Sequence, residues 1–211
     1  MARGKLITLE GGEGAGKTTL IRGLTKALAA RGIDVVVTRE PGGTPGAELL
    51  RDILLNGDVQ RWSSRTEALL MYAARVDHVE RRIKPALDCG AWVVCDRFAD
   101  STRAYQGVGG GLKAEELEEL RHFALGDFRA DLTLIVDIDP EEGLARTLAR
   151  GEKATRFEKF DSGYHARLRQ AFLDIAAEEP ERCAVLDGMQ PAEAVLENAM
   201  ALIDARLSTA A

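Results

Sequence analysis

Five short runs of apolar, largely β-branched residues punctuate the chain: KLITL (5–9), DVVVT (34–38), WVVCD (92–96), DLTLIVDI (131–138) and CAVLD (183–187). Within them apolar side chains fill successive positions instead of alternating with polar ones. A strand with one wet face would alternate, so these runs predict strands buried on both faces, as in a parallel sheet. Between them the spacing changes to the three-and-four period of helices, over 17–31, 46–56, 64–88, 113–125, 140–150, 159–179 and 191–207. Proline stands at or near the start of several of these segments, Gly32 lies where a helix C′ glycine belongs, and Pro85 interrupts the helix over 64–88. Strands alternating with helices through right-handed crossovers predict an α/β fold with a doubly wound parallel five-stranded sheet. No repeat, low-complexity tract or linker divides residues 1–211, so one domain is expected. The charged stretch RGEKATRFEKF (150–160) lies between two helices and reads as a lid, over about 146–160.

Composition narrows the possibilities. Hydrophobic residues make up 45% of the chain but aromatics only 5%, so Leu, Val, Ile and Ala must fill the core. A net charge of -6 argues against a nucleic-acid partner, which needs a basic face. No apolar run approaches the roughly 20 residues of a membrane span. Cys89, Cys95 and Cys183 are odd in number and lack C-x-x-C spacing, which together with the absence of a signal-like start predicts a reduced, cytoplasmic protein.

The densest chemistry is in LEGGEGAGKTT (9–19), between the first strand and the first helix. Gly11-x-x-x-x-Gly16-Lys17-Thr18 satisfies the P-loop pattern in its required context. Glycines allow the backbone of Gly12, Glu13, Gly14, Ala15 and Gly16 to turn its N–H groups around a phosphate chain, and the helix start at Lys17, Thr18 and Thr19 adds its dipole. Lys17 reaches the terminal phosphates of a nucleoside triphosphate, and the Thr18 hydroxyl can ligate Mg²⁺. Asp96 closes the third strand at the edge where open α/β sheets bind ligands, and its carboxylate can hold Mg²⁺ or its waters beside Thr18. A motor, a switch, a transport ATPase and a kinase would all satisfy this loop.

Further stretches separate them: TREPGGTPGAELLR (38–51), EALLMYAARVDH (67–78), DRFADSTRAYQG (96–107) and LGDFRADLTL (125–134). In this order and spacing, over essentially the whole chain, the sequence resembles the thymidylate kinase family. The resemblance implies a P-loop nucleoside monophosphate kinase architecture, transfer of the γ-phosphate of ATP to dTMP, and a homodimer formed through the helices at 46–56, 64–88 and 113–125. It also implies an acceptor site. Arg97 pairs with the dTMP phosphate, Arg51 helps to neutralise it, and Glu10 lies near the ribose and the metal. Arg39, Glu40 and Pro41 enter the cleft, and Arg75 hydrogen-bonds a base carbonyl. The family usually has phenylalanine four residues before this arginine; here the place is held by Met71, with Tyr72 following, and a thioether can pack on a ring. Ser101, Thr102, Tyr105 and Gln106 fall on the base and sugar side. Gln106 offers the donor and acceptor that match the edge of thymine, and Tyr105 leaves no room for a 2′-hydroxyl. His78 and Arg103 read as surface residues. The P-loop is acidic at Glu13, so the transfer cation is expected from the lid, from Arg150 and Arg156 with Lys153 nearby, while Arg146 falls near the adenine. Lys17, Arg97, Arg150, Arg156 and Glu10 are thus the catalytic candidates. Another nucleoside monophosphate kinase, or a P-loop switch that holds nucleotide to control a partner, remains as an alternative.

Overall fold

A computed structural model describes residues 3–58, 61–149 and 160–207. The five apolar runs form β1 (Leu6–Glu10), β2 (Val35–Arg39), β3 (Trp92–Asp96), β4 (Leu132–Asp137) and β5 (Cys183–Asp187), all parallel, in the order β2-β3-β1-β4-β5. Register brings Arg39 beside Asp96 and Leu9 beside Asp96. The polar ends of β1, β2 and β3 therefore meet at one edge of the sheet.

Successive residues of the central strands serve opposite layers, as the pleat requires. Ile7 and Leu9 pack with Val94, Leu132 and Leu134 against α1 (Lys17–Ala30) and α9 (Ala192–Leu207). Leu6, Val93 and Cys95 face the other way, onto α3 (Ser64–His78), the π-helical turn Val79–Ile83 and α4 (Lys84–Asp88). The helical layers are completed by α2 (Pro45–Leu55), α5 (Ala99–Thr102), α6 (Ala114–Leu125), α7 (Pro140–Ala149) and α8 (Ser162–Glu178). Burial on both faces holds for the middle of the sheet only. Val37 of β2 and Val185 of β5 are 41% and 44% exposed, because these are the edge strands.

Local signals set the helix ends. Thr44 caps α2 by accepting from Ala47 N–H at 3.2 Å, with Pro45 at the first position, and Ser63 and Asp161 cap α3 and α8 in the same way. Gly32, at φ +77°, ends α1 as its position implies. Two expectations need correction. Pro85 does not interrupt the helix over 64–88: the chain stays helical, and the π-turn ahead of the proline widens the ladder, with Lys84 N–H donating to Val79 O. The segment after β3 is helical too, as α5 and the π-helical turn Arg103–Val108, where the apolar period predicts no helix. The lid expected over about 146–160 falls outside the described residues from Arg150 to residue 159.

Candidate active site

The P-loop runs from the end of β1 into α1. Gly11 (φ +129°) and Gly14 (φ +68°) take backbone angles that favour glycine, and a Cβ on Gly14 would collide with the carbonyl of Gly143. The loop thus fits closely against α7. Lys17 is buried, and its Nζ donates to Gly11 O at 3.1 Å and Gly12 O at 2.8 Å. Burial pushes its pKa down from 10.5 to about 8, helped by the neighbouring Arg97, while Asp96, Glu13 and Glu10 pull the other way. The fold holds this cation where its charge is disfavoured, a position suited to a group that awaits an anion.

Arg97 follows β3 in the left-handed region at φ +67°, the one non-glycine residue among those described to do so. Its guanidinium donates to Gly11 O (3.1 Å), Ser101 Oγ (3.2 Å) and Glu13 Oε1 (3.2 Å), and lies 5.1 Å over the Tyr105 ring. Tyr105 in turn donates to both carboxylate oxygens of Glu13, at 2.7 and 2.9 Å. The acid in the P-loop therefore orients the arginine. Burial raises the Glu13 pKa, but Arg97 and Lys17 outweigh it, and the carboxyl stays below its ordinary value. Asp96 lines the cleft beside Thr18, and its Oδ1 is buried without a hydrogen-bond partner among the described residues.

The other end of the cleft rests on a buried relay. Arg75 is 2% exposed; its Nε donates to Glu40 Oε2 at 2.6 Å, and its Nη2 to Phe98 O (2.9 Å) and Thr102 Oγ1 (3.1 Å). Burial works against the Arg75 charge, and Glu40 more than offsets it, so its pKa is raised. The other terminal nitrogen, Nη1, is buried with no hydrogen-bond partner among the described residues. Glu40 Oε1 also meets His78 Nδ1 at 3.0 Å, and His78 Nε2 lies 2.6 Å from Thr38 Oγ1. His78 is therefore a core residue and not a surface one, because its polar partners arrive from β2 and the loop after it. Arg103 is likewise half-buried, tied to Asp100, Glu178 and Glu179.

One cleft of about 250 Å³ joins these parts. It brings together Glu13 to Thr19, Arg39, Glu40, Pro41, Arg51, Met71, Arg75, Asp96, Arg97, Ser101, Thr102, Tyr105 and Gln106. Arg51 is anchored by donating to Pro41 O at 2.7 Å, and the more exposed Arg39 pairs with Glu48 at 3.2 Å. Tyr72, Glu10, Gly11 and Gly12 do not line it. Tyr72 packs in the core beneath Arg75, 4.5 Å from its guanidinium, so of the neighbouring pair only Met71 faces the cleft. Glu10 is fully buried below the cleft and accepts from Phe98 N–H (2.7 Å), Ser101 N–H (3.2 Å) and Ser101 Oγ (2.6 Å). Burial, with Asp100 adding, pushes its pKa up to about 7. It ties β1 to the start of α5, the segment that brings Ser101 and Thr102 to the cleft. Arg146 lies apart, paired with Glu142 at 3.0 Å and donating to Gly188 O at 3.2 Å. Arg150, Lys153 and Arg156 lie outside the described residues. Sequence reasoning misses Phe98, whose carbonyl holds Arg75, and Glu67, whose carboxylate holds Gln106 at 3.1 Å.

A parallel sheet in this order, a P-loop on its first strand and a second polar pocket sharing the cleft define a P-loop nucleoside monophosphate kinase fold. The family model for thymidylate kinase matches residues 9–199. The chain is 55% identical over 195 residues to the thymidylate kinase of Caulobacter vibrioides, covering 92% of this chain and 93% of the relative. It is 48% identical over 210 residues to that of Afipia carboxidovorans, covering 99% and 92%. The crystal structure of thymidylate kinase from Ehrlichia chaffeensis superposes with a TM-score of 0.78 at 32% identity, covering 95% of this chain and 99% of that one. The chain belongs to the thymidylate kinase family.

Proposed function

We propose that this chain transfers the γ-phosphate of ATP to dTMP, giving dTDP, within one domain closed by a lid over about 146–160. The observation that carries the reading is the single cleft with the P-loop at one end, the free Arg75 Nη1 and Gln106 at the other, and Arg97 between them. ATP lies along Gly11–Thr19 with Lys17 on its terminal phosphates. Arg97 and Arg51 hold the acceptor phosphate, and Arg97 is aimed before binding by Glu13 and Tyr105, which lowers the entropy cost of alignment. Arg75 Nη1 donates to a base carbonyl, Gln106 reads the adjoining edge, and Met71 packs on the ring. Phosphoryl transfer asks mainly for such positioning and for positive charge at the migrating group.

Magnesium fits the donor set, since the unpartnered Asp96 oxygen and the Thr18 hydroxyl are the hard oxygen ligands it takes beside phosphates and water. It neutralises phosphate charge when bound. The helices offer a homodimer face: Leu49 and Ile53 of α2, Leu69 of α3 and Phe123 of α6 are exposed apolar residues. No helix among the described residues is long and apolar enough to cross a membrane, and free cysteines suit a cytoplasmic setting.

ADP release measured against a panel of monophosphates tests the activity. dTMP is expected to exceed dUMP by about 10- to 200-fold, the worth of one methyl group in an apolar pocket, with UMP poorer still if Tyr105 excludes a 2′-hydroxyl. Release that ignores the acceptor would leave a nucleotide-binding switch instead. Removing the lid arginines, as Arg150→Ala or Arg156→Ala, is expected to lower kcat by about tenfold or more with dTMP affinity unchanged. Parent-like turnover in the double variant would reduce the lid to a cover.

Proton linkage gives an independent check. Lys17 is half-charged near pH 8 in the free protein, and a triphosphate beside it restores the full charge. ATP binding at about pH 8 should therefore take up roughly half a proton, read by calorimetry in two buffers of different ionisation enthalpy. No uptake would mean that Lys17 does not meet the phosphates.

A further inference from the structure

We infer that Glu67, which does not line the cleft, selects the pyrimidine by locking the side-chain amide of Gln106 in one orientation; the inference rests on the dTMP reading above. Glu67 lies in the first turn of α3 and is 8% exposed, and Gln106 lies in the turn Arg103–Val108 and is 1% exposed. Gln106 Nε2 stands 3.1 Å from Glu67 Oε2.

A glutamine amide is two-faced. Its terminal torsion is broad and roughly two-fold, so shape alone would accept the oxygen and the nitrogen in either place. Chemistry removes the choice here. A carboxylate only accepts, so the amide must turn its NH₂ to Glu67, and its oxygen remains as the other arm. A flip would set two acceptors against each other in a buried place, a mismatch that disfavours the flipped form by about ten- to a hundredfold.

The consequence falls on the base. The imide of thymine or uracil has N3–H flanked by carbonyls, and a fixed amide oxygen accepts from that N–H. Cytosine has a lone pair at N3 and an amino group at C4. It would meet the Gln106 oxygen acceptor to acceptor, and the Arg75 Nη1 donor to donor. Arg75 is held by Glu40, Phe98 and Thr102, so neither reader of this edge is free to adapt. Glu67 thereby separates imide bases from cytosine, while the methyl of thymine is read elsewhere in the pocket. It is a positioning residue that acts through Gln106.

Glu67→Gln tests this with little change of shape, because an amide at 67 can accept from Gln106 or donate to it and so releases the flip. Dissociation constants of dTMP and dCMP are measured by calorimetry on the parent and on the variant. The preference for dTMP is expected to fall by about tenfold or more, with dCMP binding more tightly than it does to the parent. Equal weakening of both nucleotides, or no change in either, would overturn the inference, since a residue that merely props the helix affects both alike. If E67Q alone does not fold, the exchanged pair E67Q/Q106E keeps the hydrogen bond and puts an acceptor at the same point. It is expected to retain most of the dTMP preference, and loss of that preference overturns the lock. A parent that binds neither nucleotide overturns the substrate reading together with this one. A parent that prefers dTMP while E67Q keeps the same preference overturns the role of Glu67 alone.

Discussion

Lys17→Ala is expected to lower turnover by about 10³-fold or more while leaving the fold intact. The catalytic half follows from charge. Phosphoryl transfer spreads negative charge over the migrating group, and losing a cation or donor aimed at it costs on the order of 10² to 10⁵ in rate. The structural half follows from the direction of its pKa. Lys17 titrates near 8 in the folded chain against 10.5 when solvated, so folding favours the neutral amine. The stability this group contributes is present only at high pH and is lost as pH falls from about 10.5 through 8. At neutral pH its charge therefore works against the fold. Alanine removes that opposition along with two hydrogen bonds to Gly11 and Gly12, so the unfolding temperature should be unchanged or slightly raised. Near-parent turnover would sink the P-loop assignment, and a large fall in unfolding temperature would make Lys17 a structural residue.

What the sequence makes legible here is what depends on neighbours in the chain. The P-loop is read from spacing because its glycines and lysine act within eight residues. The strands are read from apolar runs because the central ones are buried on both faces, and α2 and α3 begin where Thr44 and Ser63 stand ready as caps. Legibility fails where the partner is remote. The helix at Ala99–Thr102 shows no apolar period, because its polar residues turn inward and its first N–H groups are satisfied by Glu10, 88 positions earlier in the chain at Phe98. His78 looks like a surface histidine until Glu40 and Thr38 are placed against it, and Arg103 looks solvated until Asp100 and Glu179 meet it. Tyr72 and Met71 are adjacent, and only the packing of α3 decides which one faces the cleft. The remote carboxylates explain a common feature of the site: Glu10, Glu13, Glu40 and Glu67 each hold a cleft residue in place, Ser101, Arg97, Arg75 and Gln106 respectively.

Of these, Glu40 should be the costliest to lose. Arg75 and Glu40 are 2% and 3% exposed in their side chains and 2.6 Å apart. Burying such a pair gains little over apolar packing, because desolvation offsets most of the attraction. Breaking it is a different matter, since Glu40→Ala leaves a buried guanidinium without its paired carboxylate, and that costs about 3–5 kcal/mol. The same change strips His78. A carboxylate can only accept, so His78 donates from Nδ1 to Glu40, while its Nε2 pairs with the Thr38 hydroxyl; without Glu40 the buried Nδ1–H loses this acceptor. In a chain of this size each kcal/mol moves the unfolding temperature by about 2–4 °C, so a fall of about 6–20 °C is expected. Unfolding must be followed without nucleotide, because a bound ligand raises the apparent stability of whatever folded state remains. Glu40→Gln keeps an acceptor for Arg75 Nε and should lose less than alanine. dTMP affinity should fall in both, as Arg75 Nη1 is no longer held in one position. A Glu40→Ala protein that unfolds within about 1 kcal/mol of the parent would mean that Arg75 finds another counter-charge or reaches water, and the pair would no longer account for a buried cation at the cleft.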